Sequence, residues 1–440
     1  MKSAVAVVLA GIGGSLPGSA PPATPAFESV SYDISLLPDF ATGVVSGVEY
    51  LRFRSLSDGL DALSFTANAQ AVNVDLDGQG VIVTTEGNRR IFHLPRHLRK
   101  GEEATLVMSF SGRPGRDVVF TANEIHTGFF TCEVMVCDID RPGDRATLRL
   151  SLTLPAGMDA VAPGKLVSHA PAAFGLETWR WQEDRSYPSY LYGFAAGRYE
   201  RAELAGRASL SVLYAGETPE HVRAMFADTA RMIAFYEAKA GVKLPERSYT
   251  QVLVDRNGDQ EDAALSMIEK GSAEPILSDP QADGMLAHEL AHQWWGNLLT
   301  CSDWKELWLN EGMAGFMTAA YREQRWGRAA YDSEMEAARK AWSAAKTAGQ
   351  DEPLSWQGTY ASLRAKRRIA YGKSMVFLDA LRSELGDDLF WKGVRRYTQD
   401  NAGRSVTAMD LEKAFEAASG RDLTATFKTW VYGDESSATP

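Results

Sequence analysis

The most reactive pattern in the chain is a pair of histidines at 288–292, where the sequence reads His-Glu-Leu-Ala-His. Residues four apart lie on one face of a helix, so the imidazoles of His288 and His292 can converge on one tetrahedral Zn²⁺. Glu289 then lies where its carboxylate can reach a water molecule and act as a general base. The same five-residue pattern also arises by chance on ordinary helices, where it belongs to a solvated charged face.

A catalytic zinc site needs a third protein ligand and one open position. Glu311 follows the histidines in a second apolar-rich stretch, 307–322, which is predicted to be helical. It can complete a site of two histidines and one glutamate, with one Zn²⁺ per chain. The flanking Trp294 and Trp295 need burial, which argues against a merely solvated helix face.

The elements that must position these residues fall into two parts of the chain, which predicts a multidomain α+β protein. Between 27 and 205 apolar and polar residues alternate, as at 148–154, and this period predicts a β-sandwich. Between 206 and 433 the spacing becomes helical, with helices predicted at 285–295 and 375–385 and short strands at 251–254 and 275–277. Residues 434–440 are predicted to be a tail.

The composition is that of a folded chain with sizeable cores: 45% of its 440 residues are hydrophobic and 10% are aromatic. There are 46 Lys and Arg against 57 Asp and Glu, and the net charge of −11 argues against nucleic acid or an anionic membrane surface as a partner. After the first 26 residues the sequence contains no run of 18 apolar residues, so no membrane-spanning helix is predicted there. The oligomeric state leaves no trace in the sequence.

The first 26 residues differ from the rest, because Lys2 precedes a short apolar run, 4–12, and then a stretch of small residues. This order is typical of a secretory signal and predicts a periplasmic or secreted protein with no stable membrane insertion after export. The alternative is a disordered leader on a cytoplasmic protein. Cys132 and Cys137 are predicted to be free thiols, or a disulfide if the compartment is oxidising; Cys301 is the third cysteine.

Several stretches of the chain resemble the aminopeptidase N family of zinc metallopeptidases, which includes the leukotriene hydrolase-like enzymes. The resemblance is carried by residues 32–36, 145–155, 187–191, 288–297, 308–312 and 427–432. It implies a saddle-like β domain at 27–205 and a thermolysin-like catalytic domain at 206–433. It also implies peptide substrates, from which N-terminal residues are removed.

The resemblance implies two further site residues. Residues 370–374 resemble a segment whose tyrosine donates a hydrogen bond to the oxyanion of the reaction, which assigns that role to Tyr371; a tyrosine that anchors the following helix is the alternative. The family binds the substrate ammonium through the glutamate of a Gly-x-Met-Glu-Asn segment. Residues 265–271 retain at best that carboxylate, at Glu269, with Glu261 and Asp262 as rivals nearby.

Two departures from the family pattern keep other functions open. The glycine and asparagine of the ammonium-binding segment are lost, and Lys270 places a positive charge beside it. Typical family members also continue into a C-terminal helical domain, so we expect a more open cleft here. The alternatives to an aminopeptidase are therefore an open-cleft zinc endopeptidase or other amide hydrolase, and a catalytically silent peptide-binding scaffold.

Overall fold

The first part of the chain is built from strands. The computed structural model describes residues 25–433, apart from 67–70, 88, 130 and 207–208, so the predicted leader and tail lie outside the described residues. The strands are β1 (Phe27–Asp39), β2 (Val44–Ser55), β3 (Leu60–Phe65), β4 (Ala71–Leu76), β5 (Gln79–Gly80), β6 (Ile82–Glu86), β7 (Arg89–Leu98), β8 (Glu103–Gly112), β9 (Val118–Phe120), β10 (Glu124–Thr127), β11 (Arg145–Pro155), β12 (Asp159–Val161), β13 (Lys165–Pro171), β14 (Leu176–Pro188) and β15 (Ala195–Gly197).

These strands form one long sheet and two smaller ones. The long sheet has the order β13-β14-β11-β1-β2-β8-β4-β5, and the smaller ones run β3-β7-β6 and β12-β15-β10-β9. β1 lies parallel to β11, with Ile34 opposite Leu150, and both side chains are buried. Because alternate residues of each strand point to one face, the alternating sequence buries that face in a core shared with Phe53 and Phe65.

A disulfide closes the loop between β10 and β11. Cys132 lies in a 3₁₀ turn, Thr131–Glu133, and is bonded to Cys137 with the two Cα atoms 5.2 Å apart. The prediction of free thiols is therefore wrong for this pair, because the sequence does not reveal the turn that brings the sulfurs together. Cys301 is a free thiol and is buried. In the same loop the backbone N–H of Val136 donates to the buried Glu49 carboxylate at 2.7 Å.

The second part contains a small sheet and most of the helices. The strands are β16 (Glu200–Leu204), β17 (Ser209–Tyr214), β18 (Ser248–Val254), β19 (Leu265–Glu269), β20 (Thr300–Cys301) and β21 (Ser405–Val406). The α-helices are α1 (Pro219–Met225), α2 (Thr229–Ala240), α3 (Lys270–Ala273), α4 (Gly284–Ala291), α5 (Trp308–Trp326), α6 (Arg328–Thr347), α7 (Leu363–Arg367), α8 (Ser374–Leu385), α9 (Asp387–Asp400), α10 (Ala408–Ser419) and α11 (Thr424–Phe427). Two π-helical turns lie at Arg368–Lys373 and Lys428–Tyr432.

A β-rich domain followed by a mostly helical domain confirms the predicted fold class. The strand predicted at 251–254 lies within β18, but 275–277 belongs to a 3₁₀ helix, Glu274–Leu277, so that strand prediction is wrong. Pro275 stands at the start of this turn, where a missing N–H costs no hydrogen bond. None of the helices in the described part of the chain is long and apolar enough to cross a membrane.

The two domains meet in a buried polar interface close to the predicted ligands. Arg145 of β11 donates to Thr300 Oγ1 at 2.7 Å and to the backbone carbonyl of Asn297 at 3.1 Å. Asn310 Nδ2 of α5 donates to the hydroxyl of Tyr190 at 3.2 Å. These contacts fix the β domain against the segment that follows the two histidines and against the residue that precedes Glu311, so the predicted ligands lie beside the interdomain junction.

Candidate metal centre and active site

The two histidines lie at the C-terminal end of α4. The helix ends at Ala291 and His292 caps it, so the helix predicted over 285–295 is shorter than expected. The chain turns sharply at Gly296, whose φ is +143°, and the backbone N–H of Asn297 donates back to the carbonyl of His292 at 2.9 Å. His288 and His292 still share one face, with their Nε2 atoms 3.1 Å apart.

Glu311 completes a group of three potential metal ligands. Its Oε2 lies 3.4 Å from His288 Nε2 and 3.4 Å from His292 Nε2. Ligand atoms held at 2.0–2.1 Å around a tetrahedral Zn²⁺ are ~3.3 Å from one another, so these three atoms have the spacing of three corners of that tetrahedron. Among the residues that the structure describes, this is the one such group of His, Cys, Asp and Glu side chains.

A hydrogen bond at the ring nitrogen that faces away from the other two potential ligands fixes the orientation of His292. Its Nδ1 hydrogen-bonds with the backbone carbonyl of Trp295 at 3.0 Å, which leaves Nε2 facing the other two ligands. A Cβ atom on Gly296 would lie 2.6 Å from this Nδ1. Gly296 is therefore required twice, for its positive φ and for the space that the imidazole occupies.

Buried negative charge surrounds the histidines. The carboxyls of Glu261, Glu289 and Glu311 are at most 9% exposed. Burial alone would lower the pKa of His292, but the charges of Glu311 and Glu261 raise it to about 10. Burial raises the pKa of Glu289, whose Oε2 has no hydrogen-bond partner among the described residues. Surplus negative charge, an unpartnered carboxylate oxygen and an imidazole–carboxylate donor set all fit a bound Zn²⁺.

Tyr371 lies next to the three ligand residues. Its ring stacks on that of His288 at a centroid distance of 6.2 Å, and it stands in the π-helical turn Arg368–Lys373 that precedes α8. The hydroxyl of Ser374 donates to the carbonyl of Tyr371 at 2.9 Å and holds this turn. Burial and the facing carboxylates of Glu311 and Glu261 raise the pKa of Tyr371 well above its usual value. The hydroxyl therefore keeps its proton at neutral pH and can donate a hydrogen bond.

Glu261 is the third carboxylate at the centre, and the sequence left it as a rival candidate. Burial raises the pKa of Glu261, while the opposite charge of His292 lowers it and the like charge of Glu311 raises it further. Gln260 Nε2 donates to its Oε2 at 2.6 Å. The carboxylate thus lies close to the ligands without belonging to the group of three, where it can bind a cationic group of a substrate.

The structure does not bring Glu269 to this site. Glu269 ends β19 opposite Val254, and its carboxylate accepts a hydrogen bond from the backbone N–H of Gly258 at 3.3 Å. Among the described residues, the carboxylate of Glu269 thus contacts loop backbone rather than the three potential ligands or Glu289. The segment 265–271 shares too little with the family motif to identify the ammonium-binding carboxylate from the sequence.

Two polar residues that the sequence analysis did not assign join the histidine segment to the loop that carries Glu261. Asn297 Nδ2 donates to the backbone carbonyl of Glu261 at 2.7 Å. Gln293 Nε2 donates to the carbonyl of Asp262 at 3.0 Å, and its Oε1 accepts from the N–H of Ala264 at 3.1 Å. Both side chains are buried. Two amide side chains inside an otherwise apolar segment were the feature of the sequence that could have identified them, because buried polar groups need hydrogen-bond partners.

Comparisons with known proteins agree with this geometry. Residues 226–430 match the peptidase family M1 domain. Aminopeptidase N of Lactococcus lactis subsp. lactis is 27% identical over 402 residues, which cover 82% of this chain and 46% of that protein. Leukotriene A-4 hydrolase of Xenopus laevis is 24% identical over 420 residues, 86% of this chain and 66% of that protein. The chain spans about half the length of the first curated relatives it matches.

A solved structure covers nearly the whole fold. The crystal structure of an M1 zinc metallopeptidase from Deinococcus radiodurans matches with a TM-score of 0.75 and 23% identity, covering 93% of this chain and 94% of that one. A two-domain M1 zinc metallopeptidase, an E323A mutant bound to L-tryptophan, matches with a TM-score of 0.76 and 22% identity, covering 93% of this chain and 95% of that one. At 22–23% identity, this similarity is evidence for the fold alone. The match to the peptidase family M1 domain is thus carried by residues 226–430, the part of the chain that holds both histidines and Glu311.

Proposed function

We propose that this chain is a zinc-dependent aminopeptidase that removes N-terminal residues from peptides. One observation carries the proposal: two imidazole nitrogens and a carboxylate oxygen lie 3.1 to 3.4 Å apart, beside a buried glutamate with an unpartnered oxygen. His288, His292 and Glu311 would hold one Zn²⁺ per chain. When bound, the metal supplies a Lewis acid that polarises the scissile carbonyl and lowers the pKa of a water molecule.

The remaining steps of the reaction belong to the protein's own side chains. Glu289 takes the proton of the attacking water and passes it to the leaving amine, which its unpartnered Oε2 leaves it free to do. Tyr371 donates a hydrogen bond to the developing oxyanion of the substrate. The raised pKa of Tyr371 supports this role, since only the protonated hydroxyl can donate.

Glu261 favours removal of N-terminal residues over internal cleavage. A buried carboxylate beside the metal ligands offers a place for the α-ammonium of a peptide, and such a charge-assisted hydrogen bond fixes the substrate's first residue next to the scissile bond. The endopeptidase alternative rested on the loss of a recognisable ammonium-binding segment and on an expected open cleft. With Glu261 as the ammonium-binding carboxylate, the first of these two grounds weakens.

The general-base assignment is tested by Glu289→Gln, which keeps the shape of the side chain and removes its basicity. Glu289 is not among the three ligand residues, so we expect zinc content to stay at one per chain while turnover falls by a factor of at least ~10². Glu384→Gln, on an exposed part of α8, is a matched control and should leave the zinc content and the turnover unchanged. Turnover that persists in Glu289→Gln would contradict the mechanism. Loss of both zinc and turnover would make Glu289 a ligand instead.

We also propose that the protein is exported, with residues 1–26 as the signal. The disulfide between Cys132 and Cys137 supports this, because disulfides persist in oxidising compartments. The test is fractionation of cells that express the full chain or a chain starting at residue 27. The full chain should appear outside the cytoplasm and lose its leader. Equal retention of both chains in the cytoplasm would contradict export.

A further inference from the structure

Lys373 is a nearly buried cation two residues after Tyr371, and the proposed reaction gives it no role. Its side chain is 8% exposed. Its ammonium group donates to Asp351 Oδ1 at 2.9 Å and to the backbone carbonyl of Glu352 at 2.7 Å. An ammonium group is costly to take out of water unless an opposite charge and further hydrogen bonds replace the water. These two contacts meet that need, so the ion pair holds the turn that carries Tyr371 against the loop that follows α6.

The turn that carries Tyr371 has a geometry that depends on its surroundings. Arg368–Lys373 is π-helical, whereas the segments on either side of it, α7 and α8, are α-helical. A π turn closes hydrogen bonds five residues apart and an α turn closes them four apart, so the same residue points in a different direction in each. Because π turns are rare, contacts outside the turn must favour this form over the α form. The direction of the Tyr371 hydroxyl therefore depends on those contacts.

Two helices supply part of this support. A Cβ atom on Gly372 would lie 2.9 Å from the Cβ of Ala341, so the turn packs closely on α6. On the side of α5, a Cβ atom on Gly312 would collide with the hydroxyl of Ser374, so this helix also lies against the end of the turn. Lys373 adds a third contact, and it is the one that joins the turn to a loop by a pair of opposite charges.

The loop end of the ion pair is itself held in place. Trp342 Nε1 of α6 donates to the same Asp351 Oδ1 at 2.8 Å, and the Trp342 ring packs on that of Trp430 at a centroid distance of 5.1 Å. The backbone N–H of Leu354 donates to the carbonyl of Trp430 at 3.2 Å. The loop therefore offers the ammonium group of Lys373 an acceptor at a fixed position.

The same loop also contacts the helix that carries Glu311. Ser355 Oγ donates to Glu306 Oε2 at 2.7 Å, and Trp308 Nε1 donates to that oxygen at 2.9 Å. Trp308 is the first residue of α5 and lies three residues before Glu311. One anchored loop therefore joins the helix of a proposed zinc ligand to the turn of the proposed oxyanion donor.

We propose that the ion pair between Lys373 and Asp351 holds the π-helical turn in the form that directs the Tyr371 hydroxyl toward the scissile carbonyl. The inference rests on the proposed aminopeptidase function. Lys373 and Asp351 are positioning residues, because they act on the reaction through the turn and not by contact with the substrate. Loss of the ion pair should therefore lower kcat, which depends on the oxyanion donor, and leave KM and the zinc content unchanged.

Asp351→Ala removes the acceptor, and its effect is measured by steady-state hydrolysis of Leu-Leu-amide. We expect kcat to fall by roughly tenfold with KM within about twofold, since a misplacement of about 1 Å can cost up to ~10²-fold in rate. Asp351→Asn keeps an oxygen that can accept from both Lys373 and Trp342, so it should lose less activity than Asp351→Ala. Asp332→Ala, which removes an exposed carboxylate on α6, is the matched control and should leave kcat unchanged.

A double variant shows whether the effect passes through Tyr371. In the Tyr371→Phe background the hydroxyl is already absent, so Asp351→Ala should lower kcat by no more than about twofold further. Equal losses in both backgrounds would overturn the inference, because they would show a general effect on the fold, and so would an unchanged kcat in Asp351→Ala. Lys373→Gln leaves no buried ammonium group unpaired and provides the same comparison if Asp351→Ala does not fold.

Binding of a phosphinic analogue of Leu-Leu, measured by calorimetry, separates this inference from the proposed function. The analogue carries a phosphinate oxygen where the oxyanion forms, so Asp351→Ala should bind it about tenfold more weakly than the unmodified protein does. Equal affinity of both proteins would contradict the positioning role even where Leu-Leu-amide is hydrolysed. If the unmodified protein neither hydrolyses Leu-Leu-amide nor binds the analogue, the aminopeptidase proposal itself fails, and the positioning role fails with it.

Discussion

Replacing Glu261 by Gln should weaken the binding of peptides with a free N-terminus while the metal centre stays intact. The two side chains have the same shape, and the glutamine carbonyl can still accept the hydrogen bond from Gln260 Nε2. What is lost is one negative charge that is only 9% exposed and faces the metal ligands. A hydrogen bond between charged groups contributes about 1.5–3 kcal/mol. The variant should therefore lose roughly 10- to 100-fold in kcat/KM, mainly through a higher KM.

Glu269→Gln is the matched control for this prediction. It makes the same chemical change on the residue that the sequence favoured, and that carboxylate contacts the backbone of Gly258 rather than the metal ligands. Steady-state hydrolysis of Leu-Leu-amide should stay within about twofold of the unmodified protein. Zinc content, measured in parallel, should equal one per chain in both variants. A larger loss in Glu269→Gln than in Glu261→Gln would refute the assignment of the ammonium site.

Three further changes test other parts of the account. Tyr371→Phe removes the oxyanion donor and should lower kcat by ~10²-fold or more with little change in KM, measured by the same hydrolysis assay. Gly296→Ala places a Cβ 2.6 Å from His292 Nδ1 and should weaken zinc binding by about 10- to 100-fold, measured by competition with a chelator. Glu49→Gln should stabilise the protein above pH 8, measured by denaturant unfolding against pH. Burial raises the pKa of Glu49 from 4.5 to about 8, so the folded state holds a proton there that the unfolded state releases, and stability falls as the pH rises through that range.

Each of these changes has its own contradicting result. An unchanged kcat in Tyr371→Phe would leave its hydroxyl without a role in the reaction. Gly271→Ala, where a Cβ meets nothing within 4 Å, is the control for Gly296→Ala, and equal zinc affinity in both would remove the steric argument. If Glu49→Gln and the unmodified protein show the same pH dependence of unfolding, the buried carboxyl does not titrate as described. The expected difference is at most roughly 5 kcal/mol.

The sequence predicted which three side chains come together at the candidate metal centre, and for the two histidines the prediction depends on local spacing. Two histidines four apart share a helix face wherever that helix lies, and a glutamate in a second amphipathic helix can reach them. The alternation at 148–154 likewise fixed which face of β11 is buried, since a one-residue shift would expose every leucine. The histidine pair and the alternation each use a period that the chain carries within a few residues, whereas Glu311 lies on another helix.

The features that the sequence did not predict depend on contacts between distant segments. Glu261 reaches the centre because Asn297 and Gln293, more than 30 residues later, hold its loop. β19 was missed because a parallel strand buried on both faces does not alternate. The helix around His292 ends early because Gly296 turns the chain there, and a single glycine does not reveal that conformation in the sequence.

The most direct test of the central claim is hydrolysis of one peptide in two forms, Leu-Leu-amide with a free and with an acetylated N-terminus, by protein of known zinc content. We predict release of leucine from the free form alone, loss of that activity when a chelator removes the zinc, and its return when one equivalent of zinc is added back. Equal cleavage of both forms, or cleavage that persists in zinc-free protein, would contradict the account.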